Sequence, residues 1–207
     1  MVRRTKENAE VTRSQLLDAA EIVFNEKGVA RASLAEIASA AGVTRGAIYW
    51  HFKDKADLVH AMLERVKLPI DEMVDKLSAN QLDDPLNYLR NSAISVLSLV
   101  AQDAQTCRVF DIVKHKCELV ADMEIGREHE LQRRSECICS IETAITTARE
   151  QGLIPATINP QITAFAWYAY ISGLITCWVL NPGLFSLADE APGMIDMLLN
   201  GLRKREE

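Results

Sequence analysis

The chain has 207 residues, 48% of them hydrophobic and 25% charged, which supports a packed core without disulfide or metal staples and excludes a disordered or fibrous chain. The net charge of −6 argues against nucleic acid only as an average. Residues 1–55 carry nine Lys/Arg against seven Asp/Glu (+2), which leaves 14 against 22 (−8) for the other 152 residues. A basic head on an acidic body is the pattern of a DNA binder with a separate sensing or assembly domain.

In chain order, the apolar periodicity predicts an all-α protein of nine helices. Leu16, Leu17, Ala20, Val23 and Phe24 share one face of the first, and Gly28 stops it. Ser33 with Glu36 three residues later forms a capping box for a short second helix that buries Leu34, Ile37 and Ala38. Gly42 ends it, and Thr44 starts a third helix reaching Phe52. Asp54 caps a long helix expected to run to Leu82, bent at Pro69. Asp83-Asp84-Pro85 opens a helix to Ala101. Further helices are expected over 104–116, 122–151, 160–181 and 190–203. Ile162–Leu180 is long and apolar enough to suggest a membrane span. Its Thr, Tyr, Ser and Gly residues and the lack of flanking Lys/Arg point instead to a helix buried on several sides, with no membrane partner.

The five cysteines (Cys107, Cys117, Cys137, Cys139, Cys177) lie in helical patterns and no secretory signal precedes them, so reduced thiols and a cytoplasmic location are expected. Cys137 and Cys139 stand too close for a usual zinc pair. No metal and no cofactor is expected.

Residues 34–53 meet the steric demands of a helix-turn-helix. Ala38 is the small residue where the helices cross. Gly42 takes the left-handed turn position, and Ile48 points inward; the spacings are four and six. The outward side then carries the chemistry. Ser33 and Thr44 stand at the helix starts. Arg45 in the first turn of the second helix can hold guanine O6 and N7, and Gly46 lets the backbone approach DNA. Tyr49 and His51 suit phosphate or sugar contacts, and Lys55 suits a phosphate clamp. Arg3, Arg4 and Lys6 form an arm able to follow phosphates or enter the minor groove. Trp50 and Phe52 read as core.

The stretches VRRTKENAEVTR and GVTRGAIYWHFKDKADL resemble the TetR family of repressors, in its multidrug-efflux branch (the AcrR, TtgR and MtrR group). Weaker likeness follows in HKCE at 115–118, in the aromatic run at 165–170 and in Gly-Leu-Ile at 173–175. The resemblance implies a homodimer, one head per operator half-site and a ligand cavity in each body. It also places Thr44, Arg45, Tyr49, His51 and Lys55 at positions that often touch DNA.

Independently, one short recognition helix reads few base pairs, and two heads about 34–36 Å apart would read a near-palindrome. Residues 160–181 and 190–203 are the expected dimer bundle. The domains are then a DNA-binding head over 1–55 and a ligand-binding and dimerisation body over 56–207. The effector is expected to be a drug-like or amphipathic small molecule. Candidate liners are Val66, Ile70, Met73, Ser92, Val96, Leu99, Phe110, Lys114, Cys137, Ile141, Trp167, Tyr168, Ile171, Ser172 and Ile175, with Ser92 and Ser172 as polar anchors. A repressor of a metabolic or signalling operon is the alternative within DNA binding. An enzyme finds little support: His115 with Glu118, Asp122 and Glu124 can be drawn as a cluster, but surface helix charges explain them more simply.

Overall fold

The computed structural model describes residues 2–66, 83–117 and 124–203, with side chains described for 8–66, 83–117 and 131–203. Regular structure in these residues is helical. The helices are α1 (Val2–Lys27), α2 (Leu34–Ala40), α3 (Arg45–His51), α4 (Lys55–Arg65), α5 (Pro85–Gln102), α6 (Ala104–Asp111), α7 (Glu124–Glu150), α8 (Pro160–Leu180) and α9 (Leu187–Leu202). A single π-turn over Ile112–Lys116 follows α6. The chain forms two compact units: Met1–Val66 with Arg108–Glu130, and Lys67–Cys107 with Leu131–Glu207.

In the first unit, α1 packs on α2 and α4, and α2 packs on α3. Leu16, Leu17, Phe24, Ile37, Ile48, Phe52, Leu58 and Met62 are fully buried. Each large aliphatic or aromatic side chain so placed contributes about 1.5–3 kcal/mol relative to exposure. Glu21, buried on α1, faces Arg65 of α4 (3.5 Å) and Arg108 of α6 (3.6 Å), as a carboxylate out of water requires. Arg65 also holds Asp18 at 2.7 Å.

The predicted helix over Asp54–Leu82 is corrected in part. Asp54 caps α4 through the Asp57 N–H (2.9 Å), but the helix stops at Arg65, and Val66 is extended (φ −79°, ψ 92°). Residues 67–82, with Pro69, Ile70 and Met73, lie outside the described residues. The expected helix 104–116 is α up to Asp111 and π beyond it. The last helix starts at Leu187, three residues earlier than 190, and carries Pro192 within its first two turns.

In the second unit, α5 packs chiefly on α9 and also on α8. A two-point ion pair joins Arg90 to Asp196 (2.5 and 2.8 Å), and the Tyr170 hydroxyl donates to the Met194 carbonyl (3.3 Å). α8 is buried along Ala164, Trp167, Ile175, Trp178 and Val179. Its opposite side exposes Ile162, Phe165, Ala169, Gly173, Cys177 and Leu180. By length and composition this helix is able to cross a membrane.

Candidate nucleic-acid interface

Local chemistry builds the two-helix motif. The Ser33 hydroxyl accepts the Glu36 N–H (3.2 Å), while the Glu36 carboxylate accepts the Ser33 N–H (2.9 Å) and hydroxyl (2.8 Å). Lys27 adds a 2.7 Å ion pair, and these contacts, led by Lys27, lower the Glu36 pKa from the ordinary 4.5 to about 2. α2 ends in a Schellman motif: the Val43 N–H reaches Ala38 O (3.0 Å) and the Gly42 N–H reaches Ser39 O (3.1 Å). That closure needs a left-handed residue, and Gly42 has φ +69°. Thr44 then caps α3 by accepting the Ala47 N–H (3.3 Å).

Buried Ile48 fixes the rotation of α3. At about 100° per residue, Gly46 and Trp50 lie opposite Ile48, with Arg45 and Tyr49 on its flanks, and all four are exposed. The Arg45 guanidinium lies over the Tyr49 ring (5.8 Å). A Cβ at Gly46 would meet only Thr44 Oγ1, at 4.0 Å. Among the described residues, then, nothing crowds that position.

Several expectations change. Trp50 is not core: it is 74% exposed, with its ring edge-on to His51 (4.8 Å). The signal was in the sequence, because Trp50 stands about 200° from Ile48 on a helical wheel. Phe52 is buried, as expected. His51 is half-buried; burial lowers its pKa, the Arg13 charge adds to the effect and Glu10 opposes it. The Lys55 ammonium is turned inward, donating to the carbonyls of Val29 (2.7 Å) and Ala30 (2.8 Å), so two of its three donors are used within the chain. The Ser33 hydroxyl is likewise engaged by Glu36 as donor and acceptor. Arg3, Arg4 and Lys6 lie in the first turns of α1 and not on an irregular arm, because helix continues to Val2.

The same turn is held from another side. The Val29 N–H donates to Lys116 O in the π-turn (2.9 Å). The Lys116 ammonium donates to the Asn25 carbonyl (2.7 Å) and to its Oδ1, and pairs with Asp111 (3.0 Å). His115 pairs with that Asp111 (3.1 Å). Glu118 and Asp122, and the side chain of Glu124, lie outside the described residues.

Of the candidate liners, Val66, Phe110 and Lys114 fall in the first unit and the remaining described ones in the second. Val66, Val96, Phe110, Cys137, Ile141, Trp167 and Ile175 are buried. Ser92, Leu99, Lys114, Tyr168, Ile171 and Ser172 are half-buried. Arg134 of α7 lies over the Tyr168 ring (5.9 Å). None of the five cysteines is in a disulfide, and burial pushes Cys137 up to about 11, so little reactive thiolate forms there near neutral pH.

Comparison with known proteins agrees with this geometry. Residues 16–62 match the family "Bacterial regulatory proteins, tetR family", and residues 84–204 match "MAATS-type transcriptional repressor, C-terminal region". The chain is 39% identical over 203 residues to the transcriptional regulator TtgR of Pseudomonas putida, covering 98% of this chain and 97% of that protein. It superposes on NalD, the secondary repressor of the MexAB-OprM multidrug efflux pump in Pseudomonas aeruginosa, with a TM-score of 0.88 at 32% identity, covering 97% of this chain and 100% of NalD. SmeT in complex with triclosan gives a TM-score of 0.81 at 31% identity, covering 94% of this chain and 92% of SmeT. SmeT represses the Stenotrophomonas maltophilia efflux pump SmeDEF.

Proposed function

The chain belongs to the TetR family of bacterial regulatory proteins, and we propose that it is a cytoplasmic, ligand-released repressor of a multidrug efflux operon. The observation that carries the DNA-binding part is the outward side of α3. A helix anchored by Ile48 presents Arg45, Gly46, Tyr49 and Trp50 to solvent. Arg45 reads base edges, Tyr49 and Trp50 contact sugar and phosphate, and Thr44 sets the start of the helix.

Two copies assemble through α8 and α9. The exposed apolar seam of α8 and exposed Met197 of α9 are then covered by the partner. The region beyond residue 55 binds the effector, a largely apolar or amphipathic compound, with half-buried Ser92 and Ser172 as polar anchors. Efflux repressors among its relatives, one of them solved with triclosan, support this choice of effector class. Release follows from a population shift: the effector favours a spacing of the heads that no longer fits the operator.

Fluorescence anisotropy with a labelled duplex carrying the inverted repeat upstream of its own gene tests the reading. Nanomolar-range affinity that falls steeply with salt is expected, with about 1–3 kcal/mol lost on Arg45→Ala. Binding no tighter than to scrambled DNA overturns it. Titrating antibiotics, flavonoids and dyes into the complex tests the effector class.

A further inference from the structure

Most charged groups of the first unit have internal partners. Lys27 has Glu36, Lys55 has two carbonyls, Lys116 has Asn25 and Asp111, and Arg65 has Asp18 and Glu21. Arg13, half-buried on α1, differs. Among the described residues, its guanidinium lies over the ring of Phe52, whose centroid is 5.2 Å from Cζ. A guanidinium lying over a ring keeps its five N–H donors in its own plane, so that contact leaves its hydrogen-bonding edge unused.

The place of this group matters. Phe52 is the C-cap of α3 and donates its N–H to Ile48 O (2.8 Å), so stacking on it fixes Arg13 against the end of the recognition helix. Exposed Tyr49, Trp50 and Lys53 surround that end of the motif. Covering Phe52 is a packing role that a methionine would fill as well, and it makes no use of the charge. Glu10, one turn earlier on α1, is exposed and forms no ion pair with Arg13.

We propose that Arg13 is a DNA-phosphate contact supplied by α1: the Phe52 ring orients its guanidinium, and the unused N–H edge takes a backbone phosphate beside the bases read by α3. This rests on the DNA-binding reading above and adds a residue from outside the two-helix motif. Such a contact strengthens binding to any sequence and sets register without reading bases.

Wild type, Arg13→Met and Arg13→Lys are titrated against the inverted-repeat duplex and a scrambled duplex over a series of salt concentrations. Arg13→Met, which keeps an apolar cover on Phe52, is expected to weaken both duplexes by a similar factor, about tenfold. Its slope of log K against log salt should be shallower by about 0.9 per head. Arg13→Lys should restore the slope. If Arg13→Met does not fold, Arg13→Gln serves the same comparison. A folded, uncharged variant with the wild-type slope overturns the proposal, whatever its affinity. Failure of the underlying reading is separate and visible in wild type alone, as equal binding to the two duplexes.

Discussion

The Lys55 ammonium donates to the carbonyl of Val29 at 2.7 Å, so a residue in the first turn of α4 closes the turn between α1 and α2. The Val29 N–H is held by Lys116 O, and Ala30 O shares the same ammonium. Lys55→Met would strip two carbonyls of a charged donor and should lower stability by about 2 kcal/mol in urea unfolding. The salt slope of DNA binding should stay unchanged. Unchanged stability with a shallower slope would return Lys55 to the phosphate-clamp role expected from sequence.

Trp50 is exposed in the single chain and touches His51 edge-on, so its removal leaves no cavity. Trp50→Ala should change unfolding free energy by no more than about 0.5 kcal/mol. Affinity for the inverted-repeat duplex should fall about tenfold, or about 1.4 kcal/mol. Wild-type affinity in a folded Trp50→Ala protein would remove this side chain from the interface.

The exposed seam of α8 makes the dimer testable at Ala169, which is open to solvent in one copy. Ala169→Arg should leave each copy folded by circular dichroism yet yield monomers in light scattering. Losing the link between two heads should cost about a hundredfold or more in affinity for a two-half-site duplex. A dimeric Ala169→Arg protein would place the interface elsewhere.

Glu36 supplies a pH signature. Its pKa is lowered from 4.5 to about 2, first by Lys27 and then by Ser33, so the folded chain favours the carboxylate. A depressed acid stabilises the fold above its unfolded pKa, and the contribution fades as pH falls from about 4.5 towards 2. Glu36→Gln should therefore lower the thermal midpoint at pH 7, with the gap to wild type closing across that window. A gap independent of pH would assign the effect to capping geometry and not to charge.

The motif was legible because its determinants are local. Ser33 with Glu36, Gly42, Thr44 and Asp54 with Asp57 each act within one or two turns, and each forms the hydrogen bonds their spacing implies. Trp50 was legible too, but the habit of burying aromatics outweighed the helical wheel. The π-turn was not, because it is held by contacts 87 or more residues away, from Lys116 to Val29 and Asn25.

By itself, then, the sequence determined an all-helical chain, the caps and breaks of its short helices, and the family to which it belongs, since turn sterics and apolar periodicity are properties of neighbouring residues. Only the tertiary structure decided which cations of the head are engaged inside the chain. Lys27, Lys55 and Arg13 are alike as charges in a basic head, yet one pairs with Glu36, one closes a turn and one rests on Phe52 with its donor edge unused. The reason is physical: a long cationic side chain reaches acceptors brought near only by folding, and a donor already satisfied inside the chain gains little by turning to a phosphate.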